Sequence, residues 1–160
     1  MTVLRGVVVA LLLALPSQAF ARKVPTLEGA PAIPPVLKRL GHDGKPVIVH
    51  FFAMWCAACV TEMPLVRRAL LEAERRGAHV VLLSLDEPES ASSKLPAFLA
   101  RTRLEFTTYL LHAPDPEPVT KLFDPLWMGD LPATFVFKGG LREKSFLQPL
   151  KSEDELLMVL

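Results

Sequence analysis

Cysteine is scarce: the 160 residues hold two, Cys56 and Cys59. Two cannot build a disulfide-stapled scaffold, and a bridge between such close positions closes almost no chain, so it cannot hold a fold together. The pair suits chemistry better than architecture. A charge surplus is also missing, with 18 Lys+Arg against 17 Asp+Glu and a formal net charge of +1. That balance excludes a dominant polybasic surface for nucleic acid or anionic lipid. Metal-ligand spacing is absent too. Zinc asks for four ligands, there is no second cysteine pair, and His42, His50, His79 and His112 are scattered. No internal repeat or low-complexity tract interrupts the chain. What is present is 51% apolar residues, enough to fill the core of one domain.

No apolar stretch reaches the roughly 20 residues of a membrane span. Val7–Leu15 follows Arg5, is broken by Pro16 and Ser17, and precedes Ala19-Phe20-Ala21, with small residues at the two positions a signal peptidase reads. Residues 1–21 therefore read as a secretory signal cleaved after Ala21, with an uncleaved anchor as the rival. No cysteine follows, which excludes lipid attachment at the new terminus. The remaining chain is expected in the periplasm or another exported, oxidising space, soluble after cleavage. Residues 22–35, containing Pro25, Pro31, Pro34 and Pro35, read as a Pro-rich surface lead-in, and residues 36–160 as one domain.

Within that domain the apolar period changes repeatedly. Val36–Leu40 reads as a short helix ended by the Gly41–Gly44 turn. Pro46–Phe52 and His79–Leu85 are apolar without polar alternation, as parallel strands covered on both faces are. Between them Val60, Met63, Val66, Leu70 and Ala73 recur at helical spacing up to Gly77. Ser90–Thr102 is a further predicted helix, and Phe106–Leu111 is a short strand or the extended approach to a loop at Ala113–Pro118. A brief helix follows at Val119–Phe123. Ala133–Lys138 and Leu141–Leu147 read as an antiparallel pair around Gly139-Gly140. Ser152 with Glu155 has the form of a capping box for a last helix that packs Leu156, Leu157 and Leu160. The fold class is α/β, in the order α-β-α-β-α-β-α-β-β-α.

Trp55-Cys56-Ala57-Ala58-Cys59 lies where a buried strand gives way to a helix. A helix start carries unpaired N–H groups and the positive end of the dipole, which favours a thiolate at Cys56. Cys56 is thus expected to be the accessible, partly ionised nucleophile, and Cys59, one turn inward, the residue that resolves a mixed disulfide. Buried core cysteines or a two-thiolate copper(I) site are the competing readings.

Val47–Pro64, "VIVHFFAMWCAACVTEMP", resembles the active-site stretch of the thioredoxin superfamily, and more narrowly that of the exported TlpA/ResA-like thiol-disulfide oxidoreductases. Trp55, Cys56, Cys59 and Pro64 match the family's residues, Glu62 matches a glutamate common in that branch, and Pro132 in "GDLPATFVF" matches its cis-proline. The resemblance runs from Pro46 to the C-terminus. It implies a thioredoxin fold, a central mixed sheet with helices on both faces. His50 stands where cytoplasmic thioredoxins carry a buried aspartate, and the N-terminal hairpin usual in the TlpA/ResA branch is not evident in Arg22–Gly44.

The resemblance implies that the loop of Leu131 and Pro132 lies beside Cys56 and pairs with an extended substrate. Glu62 is either a proton relay beneath the sulfurs or a solvent-facing helix residue. Trp55 either shields the sulfurs and offers a docking edge or simply packs, and Trp127 either joins the same groove or belongs to the core. His50 is either a hydrogen-bonded core histidine or a modulator of the thiols, while Pro64 has a structural role. Ala57-Ala58 adds no charge or hydroxyl to steady a thiolate, which argues against a strong oxidant. The function implied is reduction of client-protein disulfides, including apocytochromes c, by a monomer without a cofactor, fed by a membrane partner of the DsbD/CcdA type. A disulfide-donating oxidase and a copper(I)-handling module are the alternatives.

Overall fold

The computed structural model describes residues 23–160, so the signal-sequence expectation for residues 1–21 lies outside the described residues. β2 (Val47–Phe52) is buried at every position, as its unbroken apolar character requires. It lies between β3 (His79–Ser84), parallel to it, and β5 (Ala133–Lys138), antiparallel. Adding β1 (Thr26–Glu28), β4 (Thr107–His112) and β6 (Leu141–Phe146) gives a six-stranded mixed sheet in the order β1-β4-β3-β2-β5-β6. This is the thioredoxin topology that the resemblance implied.

The two-residue strand period sends alternate side chains to opposite faces. Ile48 and Phe52 pack into one core with α2 (Ala57–Arg75), α3 (Pro88–Thr102) and α5 (Glu153–Leu157). Val47, Val49 and Phe51 pack into the other with α1 (Ile33–Leu40) and α4 (Glu117–Phe123). His50 belongs by this period to the face that α2 covers.

Several expectations need correction. The lead-in is not only a surface segment: Thr26–Glu28 pairs in parallel with Leu110–His112 as an edge strand. Three residues with Leu27 alone buried are too few to show alternation in the sequence. α1 starts at Ile33 rather than Val36, with prolines in its first turn, where the missing N–H would have had no helical partner. Val60 is 42% exposed; the buried stripe of α2 runs instead through Cys59, Glu62, Met63, Val66, Ala69, Leu70 and Ala73. The capping box does not form. Ser152 makes no side-chain cap, and Glu155 accepts from the Lys151 N–H at 2.8 Å instead. α5 is held by the burial of Leu156 and Leu157.

Candidate active site

The chain leaves β2 and turns into α2 at Cys56, which is extended (φ −81°, ψ 102°) and caps the helix: its Sγ accepts from the Cys59 N–H at 3.1 Å. Cys56 and Cys59 are joined as a disulfide with their Cα atoms 5.2 Å apart. The expected accessibility of Cys56 is realised only in rank, since it retains 7% exposure against 0% for Cys59. Trp55 stands 68% exposed beside the pair, so it offers an apolar edge and is not a packed core residue. Pro64 lies exposed inside α2, where its ring nitrogen cannot donate to the preceding turn.

A brace that sequence reasoning missed holds the loop before the cysteines. The Met54 N–H donates to both carboxylate oxygens of Asp86 at 3.0 and 3.1 Å, and the Ser84 hydroxyl donates to Oδ2 at 2.7 Å. Asp86 is buried just past the end of β3. An acidic residue directly after an apolar parallel strand was the available signal, because sites of α/β sheets gather at the carboxyl ends of their strands.

The Leu131–Pro132 peptide is cis. Ala133 pairs with Phe51, which sets buried Pro132 level with Phe52, where β2 feeds the cysteine loop. Leu131 is partly buried against the core that contains both cysteines. Trp127 belongs to the core. It is 2% exposed, packs against Phe51, Phe123 and Phe135, and donates from Nε1 to the Asp130 carbonyl at 2.8 Å. It steadies the proline loop from within the core, while its neighbours Leu126 and Met128 are exposed.

Between β2 and α2 two polar side chains meet. Glu62 is 7% exposed, one turn past Cys59 on the buried face of α2, and so does not face solvent. Its Oε2 accepts from the Leu150 N–H at 2.9 Å. His50, fully buried, reaches Thr134 Oγ1 from Nδ1 at 2.9 Å, and its Nε2 lies 3.8 Å from Glu62 Oε1. Burial pushes the Glu62 carboxyl up to about 7, offset only in part by the Leu150 N–H, and pushes the His50 imidazole down to about 4. Both shifts favour the uncharged forms, so burial opposes an ion pair at this contact. Thr134 and Leu150 were also missed. Thr134 was legible as the polar residue of an apolar strand, directly opposite His50.

A cysteine pair at a helix N-terminus, a cis-proline at the head of β5 and this sheet order define a thioredoxin fold. The chain belongs to the AhpC/TSA family, whose pattern matches residues 23–141. It is 38% identical over 47 residues to thiol-disulfide oxidoreductase ResA of Oceanobacillus iheyensis, covering 29% of this chain and 24% of that protein. To ResA of Bacillus cereus it is 27% identical over 93 residues, covering 58% of this chain and 49% of the relative. These matches span half or less of each curated relative. Among solved structures, a secreted thiol-disulfide isomerase from Corynebacterium glutamicum superposes with TM-score 0.58 at 19% identity, covering 72% of this chain and 68% of that one.

Proposed function

We propose that the protein is an exported thiol-disulfide oxidoreductase that reduces disulfides in client proteins, apocytochromes c among them. The observation that carries this is Cys56 as the cap of α2, bonded to Cys59. In the dithiol form the Cys56 thiolate attacks a client disulfide, forming a mixed disulfide and releasing one client thiolate. Glu62 takes the proton of Cys59, and the Cys59 thiolate then attacks Cys56 Sγ. The Cys56–Cys59 bond forms, the second client sulfur leaves, and two electrons have passed to the client. Trp55, Leu131 and Pro132 dock the client chain. A membrane partner of the DsbD/CcdA type returns the protein to the dithiol.

The direction rests on how little steadies the thiolate. Cys56 Sγ receives one backbone N–H, its neighbours Ala57 and Ala58 are apolar, and it is nearly buried. A weakly stabilised reduced form gives up electrons readily. Export rests on the Met1–Ala21 pattern and on the likeness to a secreted isomerase.

The test is the potential of the pair, together with a Cys59→Ser trap for mixed disulfides. A value near or below about −250 mV, with trapped clients that are oxidised before reaction, is expected. A value near about −120 mV would assign the protein to disulfide donation.

A further inference from the structure

Among the described residues only two buried side-chain polar atoms lack a hydrogen-bond partner, His50 Nε2 and Glu62 Oε1. They face each other at 3.8 Å, longer than a hydrogen bond but within the reach of a small carboxyl rotation. Leaving either unpaired is costly, and one hydrogen between them satisfies both. Which atom carries it is tied to the ring tautomer, because the Thr134 hydroxyl can accept from Nδ1 or donate to it, and with Glu62 protonated one arrangement satisfies every atom. Nδ1 is engaged by Thr134 Oγ1, so a neutral ring protonated at Nδ1 donates there and leaves Nε2 as a lone pair. Oε2 accepts from the Leu150 N–H, so Oε1 is the oxygen left to bear a hydrogen.

Resting on the proton role proposed for Glu62, we propose that His50 is a positioning residue for that proton: its Nδ1-protonated ring, anchored on Thr134, holds the hydrogen on Oε1. When the ionised Glu62 deprotonates Cys59, the S–H bond breaks, the Oε1–H bond forms, the negative charge passes from carboxylate to sulfur, and the ring hydrogen returns from Nε2 to Nδ1 as the Thr134 hydroxyl turns from donor to acceptor. When the carboxyl later releases the proton to solvent, a lone pair at Nε2 would oppose a carboxylate. The ring then favours the Nε2–H tautomer, and the Thr134 hydroxyl turns from acceptor to donor. The imidazole is neutral before and after, and the pair as a whole has lost one proton.

The surroundings leave little else to move this equilibrium. β2 itself presents Phe52, stacked on the His50 ring, β3 presents Leu82 opposite His50, β5 presents Thr134, and the segment before α5 presents the Leu150 backbone. Asp86, past the end of β3, is occupied by Met54 and Ser84. Burial disfavours charge on either partner, in keeping with a neutral pair.

The test is a pH titration of the oxidised full-length protein by NMR, following the His50 ring nitrogens and the Glu62 carboxyl carbon. We expect the Nδ1–H tautomer at pH 6, and both residues moving through one shared midpoint near neutrality without the ring gaining charge. In Glu62→Gln the ring movement should vanish over that range. Thr134→Val should mix the tautomers, and Thr134→Ser should restore the preference. A ring that is Nε2–H at pH 6, or that stays still while Glu62 titrates, would overturn the assignment. So would a Glu62 midpoint near the ordinary carboxyl range. Loss of client reduction with this titration intact would count against the proposed function alone, since no client or thiol is present in the measurement.

Discussion

Glu62 and His50 titrate in opposite directions for the same reason, loss of water. The unfolded chain releases the Glu62 proton near 4.5 while the folded protein keeps it to about 7, so this group's contribution is full below 4.5 and declines as pH rises to 7. His50 runs the other way. Its folded value of about 4 lies below the ordinary 6.5, so its contribution is full above 6.5 and is lost as pH falls towards 4. Each amounts to roughly 3 kcal/mol at about 1.36 kcal/mol per pH unit. Their windows overlap between 4.5 and 6.5, and there the two slopes cancel. Glu62→Gln should gain stability on the wild type by roughly 3 kcal/mol as pH is raised across this range, and His50→Gln should lose a similar amount. Urea unfolding at pH values from about 4.5 to 7 reads both; parallel curves for the variants and the wild type would show that neither group is perturbed. Trp127 makes a different claim at this scale. As a core residue its replacement by Ala should cost about 3–5 kcal/mol, whereas Trp55→Ala should leave stability nearly unchanged and raise the KM for a protein client.

Elements that bury a whole face could be read from the residues, and those whose partners are distant in sequence could not. β2 and β3 show themselves because every apolar position is needed on a doubly covered strand. α2 shows its period, although Val60 misleads because an exposed valine at the helix start fits the same spacing. The meeting of His50 with Glu62 depends on how α2 crosses the sheet, which neither the strand period nor the helix period contains. Asp86 and Leu150 come to the site the same way, from loops separated from it by whole elements. α5 shows the limit of local motifs. Ser152 and Glu155 have the capping-box spacing, yet the carboxylate reaches Lys151 and the hydroxyl caps nothing. Ser152→Ala should therefore change stability by less than about 0.5 kcal/mol, where a working N-cap is worth about 1 kcal/mol. Asp86→Ala, by contrast, strips the Met54 N–H of its acceptor and should cost about 2 kcal/mol in denaturant unfolding.

Over the whole molecule, the redox direction and the folding free energy are linked. The disulfide closes a loop with sequence separation 3, for which chain entropy predicts a stabilisation of no more than about 2 kcal/mol. The sheet and its two cores make up the rest, so the dithiol should remain folded, as a protein that cycles between both forms must. The difference in stability between the forms equals the difference in disulfide free energy between the folded and unfolded chain, at about 1.4 kcal/mol for each 30 mV. A strong oxidant is more stable reduced, because its folded thiolate is favoured. A reductant with a poorly supported thiolate is more stable oxidised. Cys56 has one backbone donor and apolar neighbours, so the oxidised protein should unfold at higher urea than the dithiol with a similar m-value. The reverse order would mean that reduction relieves the fold, and the protein would then be placed to donate its disulfide to exported clients.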